Sequence, residues 1–451
     1  MLKTFYLVLF LSLFASDRAF AESLQTLTLD DCIQLAIANA TTVLKADNAV
    51  KSSGAQVMQT YAQFLPNLQA TANYDYADGR TYTVYPTPTK IYSRTYGPSY
   101  QLSSSINIFN GFSDYANLKS ALDKKQSNEW TLARAKQQIS IDVAQAFLQV
   151  ILDQELVTIS KENVKVSEER QNLLKEQTRL GIRDLSDLYR QEAQTSSDEA
   201  SLITIANKLH DDEIQLSKRI RLDTSKNYAF VDKGLDSLRN SFEDENEEVL
   251  IKKALDQRMD YLASKKILSA ADWNIDAVQS NYYPKVDLNA NVSGAGRRAI
   301  KQYVDGVNTT PAQQDALWTQ LRHNDVFDIG VSFTWILYDR NVTRYASTQA
   351  HIDKSNASID LEDQRLQVIS DVRQASGDLK AAKRRLLAAD KGVKASEKAF
   401  ETVQERYNVG SSSFLDLISA QSTLIDARST KAEAQIDTLL QERVLNNAVG
   451  I

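Results

Sequence analysis

The chain has 451 residues, of which 43% are hydrophobic and 24% are charged, and its formal net charge is −6. This hydrophobic content excludes wholesale disorder, and the mild acidity argues against a nucleic-acid-binding surface. The one cysteine, Cys32, excludes an internal disulfide framework and any metal site built from several cysteines. Fourteen glycines and six prolines are few for this length, which disfavours β-sandwiches and propellers.

The first 21 residues are predicted to be a signal peptide. Lys3 precedes an apolar run at 5–15, and Ala19-Phe20-Ala21 fits the small-x-small cleavage rule. The run is shorter than the roughly 20 apolar residues that a membrane-spanning helix needs. No later segment has 18 uninterrupted apolar residues, so we expect an exported protein without membrane helices.

Two short regions of alternating polarity, about 67–109 and 285–338, are each predicted to form a pair of β-strands. Apolar and polar residues alternate with period two in both regions, which is typical of strands with one apolar and one polar face. Glycines and prolines predict loops within these regions at roughly 78–99 and 294–325. Tyrosines cluster at the margins of the strands, as aromatic side chains do at membrane interfaces.

Long helices are predicted in the proline-free tracts that follow each strand region. Their predicted bounds are about 111–178 and 184–222, then 340–407 and 413–446. A helix over 111–178 spans about 100 Å at 1.5 Å per residue. Apolar residues form two stripes on it, which indicates neighbours on two sides.

The chain is predicted to be a tandem duplication of residues 27–222 and 248–446, joined by an acidic linker at 223–247. A shift of 218 residues superimposes Pro66 on Pro284, and past the strands a shift of 229 superimposes Asp142 on Asp371. Repeats of this kind are best identified before the fold is assigned.

The most informative motif occurs once in each repeat, between the two predicted helices. Gly181 and Gly410 suit the left-handed position that ends a helix, and each is followed after five residues by Asp-Leu. These Asp-Leu pairs are Asp187-Leu188 and Asp416-Leu417. Each motif therefore predicts a tight helical hairpin.

With these features the sequence resembles the TolC family of outer-membrane efflux proteins over nearly all of the mature chain. The resemblance implies an α+β membrane fold, in which a homotrimer combines four strands per chain into a twelve-stranded β-barrel and the long antiparallel helices into a periplasmic α-barrel. It also implies an exit duct for efflux or type I secretion, located in the outer membrane and extending into the periplasm. The implied partners are a periplasmic adaptor protein, an inner-membrane transporter and outer-membrane lipid, without a cofactor or a metal.

The resemblance also implies roles for residues at the hairpins. Tyr407 matches a tyrosine that tethers the closed periplasmic entrance, Asp187 matches its partner, and Asp416 matches an acid that narrows the entrance. Gly181, Gly410, Leu188 and Leu417 belong to the hairpin turns that contact the adaptor. The sequence departs from the family pattern at Ser412, where an arginine tether is expected, and at Ser419, where an acid is expected. A weaker latch and a less acidic constriction are therefore expected.

Two other functions compete with the duct. The helices alone fit a periplasmic coiled-coil scaffold or adaptor without channel activity, although the paired strands do not. An enzyme is the other alternative, but the sequence has no P-loop, zinc-protease or nucleophile-elbow motif, and its three histidines are far apart. Asp187 and Asp416 also have a plain structural interpretation, as acids at helix starts.

Overall fold

The computed structural model describes most of the chain. The described residues are 25–84, 88–223, 226, 228–231 and 246–451. The predicted signal peptide at 1–21 lies outside them, as does most of the predicted linker. The chain divides into two compact units, and each unit takes segments from both predicted repeats. Unit 1 comprises the described parts of 1–44, 135–254 and 370–451, and unit 2 comprises those of 45–134 and 255–369.

Helices make up most of the described residues. They are α1 (Leu29–Asn39), α2 (Thr41–Ala62), α3 (Ser113–Arg179), α4 (Leu185–Arg219), α5 (Glu247–Gln257), α6 (Met259–Gln279), α7 (Leu317–His323), α8 (Val342–Asn408) and α9 (Phe414–Val449). The two longest, α3 and α8, have 67 residues each, and the duplication of the chain stays a prediction. Among the helices described, none has a segment long and apolar enough to cross a bilayer.

The strands are distributed between a short pair in unit 1 and a larger sheet in unit 2. They are β1 (Gln25–Leu27), β2 (Gln69–Thr83), β3 (Thr89–Phe109), β4 (Tyr228–Phe230), β5 (Lys285–Ala295), β6 (Arg298–Val304), β7 (Val307–Asn308) and β8 (Asp325–Thr334). Helices and antiparallel strands therefore occupy separate parts of the sequence, and the predicted α+β fold class is confirmed.

The core of unit 1 packs α1, α3 and α4 around the parallel pair β1–β4. Phe147 of α3 is fully buried, and its ring meets Phe230 of β4 edge to face with centroids 6.2 Å apart. α1 begins with a capping box between Thr28 and Asp31, and it buries Cys32 in the same core. The sequence did not predict β1 or β4, because three-residue strands are too short to show alternation.

In unit 2, the strands β2, β3, β5 and β8 lie side by side, each antiparallel to its neighbour. β6 lies on the same side of β3 as β5 and pairs with the part of β3 nearer its start, and β7 pairs with β6. Among the described residues, the outer edges of β2 and β8 have no partner strand. Unpaired edges of this kind are ready to pair with another chain.

The predicted loops at 78–99 and 294–325 are wrong in extent. β2 and β3 stay paired up to Thr83 and Thr89, so the connection between them is only 84–88. The second region contains β6, β7 and α7. The first predicted loop includes Gly97, but this glycine lies inside β3. A Cβ atom at this position would be 1.8 Å from the carbonyl oxygen of Gly296. Glycine in a strand can mark such a close backbone approach and not a turn.

The sheet has one apolar face and one polar face. An apolar row runs in register across the strands through Ala70, Leu102, Val292 and Phe327. The adjacent row, on the opposite face, consists of Gln69, Ser103, Asn291 and Asp328. Phe327 and Ile329 of β8 are 67% and 65% exposed. On β8 the apolar face is therefore not covered by the described part of the chain.

Candidate functional site at the two helical hairpins

Both predicted hairpin turns are present in unit 1, and both end a helix in the same way. Gly181 has φ +71° and Gly410 has φ +78°, the left-handed conformation that the sequence predicts. In the first turn, Ile182 donates its N–H to the carbonyl of Gln177, and in the second, Ser411 donates to that of Arg406. This is the Schellman arrangement, which satisfies the last carbonyls of α3 and α8.

The second turn restarts its helix with a complete capping box. Ser413 is the N-cap of α9, and its side chain accepts the N–H of Asp416 at 3.1 Å. In return, Asp416 Oδ2 accepts hydrogen bonds from the N–H and hydroxyl of Ser413 at 3.0 and 2.7 Å, and from the Ser412 hydroxyl at 3.1 Å. These bonds, those from Ser413 first, lower the pKa of the exposed Asp416 carboxyl below its ordinary value.

The first turn lacks this box. Its N-cap, Asp184, makes no side-chain capping bond, and Asp187 at the third helical position has no box partner. Two carboxylates cannot hydrogen-bond to each other when both are ionised, so Asp184 cannot take the part that Ser413 plays. The carboxylate of Asp187 is therefore not tied to its own turn.

The two hairpins are held together by a small apolar cluster. Leu174, Leu188, Phe414 and Leu417 are buried, and they surround the equally buried Tyr407. Leu188 and Leu417 were assigned to the adaptor contact, but they are only 8% and 2% exposed and pack between the hairpins. Their place in this cluster explains the Asp-Leu pattern, and the adaptor contact stays a prediction for the turns.

Tyr407 is held by Arg183 of the first turn. The guanidinium carbon lies 4.3 Å from the centre of the Tyr407 ring, and Nη2 donates to the Tyr407 carbonyl oxygen at 3.0 Å. Cation–π contacts contribute about 0.5–2 kcal/mol, more as they are desolvated. Burial raises the pKa of the Tyr407 hydroxyl, and the nearby charge of Arg183 acts in the opposite direction.

The predicted hydrogen bond between Tyr407 and Asp187 is not formed in this chain. The Tyr407 hydroxyl is buried without a hydrogen-bond partner among the described residues. Asp187 acts on it only through its charge, which adds to the rise of the Tyr407 pKa. The contact that does join the two turns at this point comes from Arg183.

Sequence reasoning missed Arg183, although the repeat contained the signal for it. The shift of 229 that superimposes the two turns places Arg183 on Ser412, the position where an arginine tether was expected and absent. The arginine is thus present in the other repeat. Comparing both copies of the turn, and not only the second, would have found it.

Further from the tips, a polar cluster joins α9 to α3. Gln421 of α9 accepts a hydrogen bond from Arg170 and donates one to Asn163 at 2.7 Å, both on α3. Nearby, Ser167 of α3 donates to Asp198 of α4. Buried polar groups joined in this way fix the register of packed helices, because a slipped register leaves them unsatisfied.

Comparisons with known proteins agree with this architecture. A family profile described as outer membrane efflux protein matches residues 32–220 and 250–451. The outer membrane protein TolC of Vibrio cholerae is 25% identical over 353 residues, which is 77% of this chain and 76% of that protein. Among solved structures, VceC from Vibrio cholerae has a TM-score of 0.75 at 17% identity, covering 94% of this chain and 96% of its own. CusC has a TM-score of 0.77 at 15% identity, covering 94% and 92%.

The chain belongs to the outer membrane efflux protein family, since the family profile covers most of its length. It is an outer-membrane channel protein that extends into the periplasm, and it is not an enzyme.

Proposed function

We propose that three copies of this chain form a gated exit duct for an efflux or type I secretion system. The observation that carries the proposal is the open sheet of unit 2, whose edge strands β2 and β8 are exposed and each have an outer edge without a partner strand among the described residues. A sheet of four long strands cannot close on itself, because membrane barrels need at least eight. Pairing β2 of one copy with β8 of the next removes every edge, and three copies supply twelve strands.

The faces of the sheet support the same assembly. The apolar row through Leu102 and Val292 suits lipid, and the polar row through Ser103 and Asn291 suits a water-filled interior. A one-residue slip would exchange these faces, so the register of the strands is strongly specified. Outer-membrane lipid is the partner of the apolar face.

The hairpins of unit 1 are proposed to form the periplasmic entrance, where the adaptor of an inner-membrane transporter docks on the turns. Arg183, stacked on Tyr407, takes the part of the latch that the sequence assigned to Tyr407 and Asp187. Opening separates the hairpins and breaks the Arg183 contacts, and adaptor contacts made only in the open state compensate for that loss. Asp416 stays ionised because of its capping bonds, so three copies around an axis attract cations.

Single-channel recording in a planar bilayer tests the proposal. We expect small, long-lived, cation-selective steps from the detergent-solubilised trimer, and Asp416→Asn should reduce the cation selectivity. A monomeric protein, or a folded protein that forms no channels, would contradict the proposed exit duct. A periplasmic scaffold without channel activity would then be the better explanation.

The latch has its own test in the same recordings. Arg183→Gln removes a contact of about 1–2 kcal/mol, so the ratio of open to closed states should rise roughly 5–30-fold. Tyr407→Phe should change little, because the hydroxyl has no partner to lose. Arg190→Gln, which removes the same charge from an exposed position on α4, is the matched control. A large effect of Tyr407→Phe, with none from Arg183→Gln, would assign the latch to the tyrosine hydroxyl.

A further inference from the structure

The apolar face of the unit 2 sheet becomes cationic towards the connection between β2 and β3. Along β2 the side chains on this face change from Ala70 and Ala72 through Tyr74 and Tyr76 to Asp78 and Arg80. The apolar part, from 68 to 76, covers about 30 Å of strand, or about 23 Å of height at the usual barrel tilt. This matches the roughly 25 Å apolar band of outer-membrane barrels. The cations therefore begin where the hydrocarbon ends.

Beyond the level of the Tyr76–Tyr96 pair, where Arg298 lies opposite Tyr96, strand register places four cations on this face. Directly opposed pairs put Arg80 beside Tyr92, Lys90 beside Tyr82, and Arg94 beside Lys301. Residues directly opposite in a ladder point to the same side of the sheet, so the cations share one surface. We call the set of Arg80, Lys90, Arg94 and Lys301 the cationic collar.

Most of the positive charge of the collar is uncompensated. Arg94 forms an ion pair with Asp78 at 2.7 Å. Arg80, Lys90 and Lys301 are exposed and make no ion pair within the described part of the chain. Asp305 is close by, and its carboxylate, which accepts the backbone N–H of Lys90 at 2.8 Å, offsets part of this positive charge without forming an ion pair with the collar.

Aromatic rings lie between these cations. Tyr92 and Tyr303 face each other on neighbouring strands with ring centroids 6.1 Å apart. They line a cavity of about 410 Å³ together with Tyr82, Arg80 and Lys90. A surface that alternates tyrosine rings with cations suits a ligand that carries both sugar rings and phosphate groups, since the rings contact the sugar and the cations bind the phosphate.

We propose that the cationic collar and its tyrosines bind the phosphorylated saccharide headgroup of the glycolipid in the outer leaflet. The strands connect to the helices at Gln69 and Phe109, whereas the collar lies at the opposite end of β2 and β3. The helices extend into the periplasm, so the collar lies at the outer leaflet. The inference rests on the proposed insertion of the sheet, with its apolar face towards lipid. A surface site continuous with that face receives a lipid headgroup and not a diffusing anion.

Native mass spectrometry of the delipidated, detergent-solubilised trimer tests this proposal. The probes are bisphosphorylated lipid A, its monophosphorylated form, phosphatidylglycerol and inorganic phosphate. The triple variant Arg80→Gln, Lys90→Gln, Lys301→Gln should bind lipid A about 100-fold more weakly, at roughly fivefold per charge. Monophosphorylated lipid A should bind the wild type more weakly than the bisphosphorylated form does.

Three controls keep the test decisive. Lys380→Gln, Arg384→Gln and Lys391→Gln together remove the same charge from exposed positions on α8 and should leave binding unchanged. Arg80→Lys, Lys90→Arg and Lys301→Arg together keep the charge and should retain lipid A. Wild-type affinity should also fall as salt rises, a measurement that needs no variant.

Several outcomes would overturn the proposal. Undiminished lipid A binding by the first triple variant would remove the collar from the site. Equally tight binding of phosphatidylglycerol would make the surface a general anionic one, and competition by inorganic phosphate at equal concentration would make it a phosphate site. Conductance is recorded in parallel. A trimer that conducts without binding lipid A would contradict headgroup binding by the collar and leave the proposed duct intact. A protein that neither assembles nor conducts defeats the proposed duct.

Discussion

The turn after α3 and the turn after α8 correspond to each other under the sequence shift of 229, and they have nearly the same backbone, with φ +71° at Gly181 and +78° at Gly410. Their side chains, however, make different contacts. The second turn closes a capping box between Ser413 and Asp416, whereas the first has Asp184 at the N-cap and no box. The difference comes from one position, because Asp184 and Ser413 are equivalent under the shift of 229.

The two turns are stabilised by different kinds of contact. Asp416 serves the local stability of its own helix, and its charge is fixed by the bonds it accepts. The first turn has no capping box, and its Arg183 side chain contacts Tyr407 of the other hairpin. One turn is thus stabilised from within, and the other is stabilised by the contact it makes.

The largest expected difference between the turns concerns Phe414 and its repeat equivalent Leu185. Phe414 is 3% exposed in the cluster around Tyr407, whereas Leu185 is 49% exposed. Phe414→Ala should therefore destabilise its hairpin by about 3–5 kcal/mol, the usual cost of removing a buried phenyl ring. Leu185→Ala should cost well under about 1 kcal/mol. Amide hydrogen exchange over the first turns of α9 and α4 measures both, and similar protection losses would contradict the asymmetric packing.

A smaller effect, equal in both turns, is expected from alanine at the two glycines. Apart from the adjoining residues, no atom of the described chain lies within 4 Å of where a Cβ of residue 181 or 410 would stand, so only the backbone conformation opposes the substitution. Gly181→Ala and Gly410→Ala should each cost about 1–2 kcal/mol, the penalty for a left-handed non-glycine residue. Hydrogen exchange at the ends of α3 and α8 measures this. Unequal losses of protection would show that the left-handed glycine conformation does not contribute equally to the stability of the two turns.

Substitutions at the two N-cap positions should also have different effects on the two turns. Ser413→Ala removes the N-cap acceptor of α9 and should cost about 1 kcal/mol of local stability. Asp184→Ala should cost less, because Asp184 makes no side-chain capping bond. Exchange protection of the first amides of each helix, above all that of Asp416, measures the difference. Equal effects would show that the capping box does not stabilise the second turn.

The smallest expected effect is a pH dependence confined to the second turn. The folded-state pKa of Asp416 lies below its unfolded value, so the stabilisation is complete above an unfolded pKa of about 3.9. It is lost as the pH falls through the lower folded pKa. Spin labels on Ser411→Cys and its repeat equivalent Ile182→Cys report the mobility of each turn. Below about pH 4 only the label at 411 should become more mobile, and Asp416→Asn should remove the change.

The sequence predicted the elements that have a period or a duplicate. The long helices, the strand regions and both glycine turns follow from alternation, from the absence of proline and from the repeat. Prediction from the sequence failed for elements that depend on tertiary contacts, because such contacts leave no periodic pattern in the sequence. β1 and β4 are three residues long, and the predicted loop at 78–99 includes Gly97 because the approach of Gly296 cannot be seen from the neighbours of Gly97 in sequence.

The site was predicted only in part, for a related reason. The conformation of Gly181 and Gly410 depends on local residues and could be foreseen. The contact of Tyr407 within this chain depends on which residue of the other hairpin reaches it, and that residue is Arg183, whereas the gating roles of Tyr407 and Asp187 stay a prediction. Leu188 and Leu417 look like surface residues of a turn, and only the packing of two hairpins buries them.

The burial of Cys32 in the core of unit 1 has a practical consequence for chemical labelling. Its side chain is fully buried, and that burial raises the pKa of the thiol to about 12. Only the thiolate reacts with maleimides and methanethiosulfonates, and at neutral pH that form is nearly absent at this position. Because the chain has no other cysteine, a thiol introduced at either hairpin can be modified selectively in the otherwise native sequence.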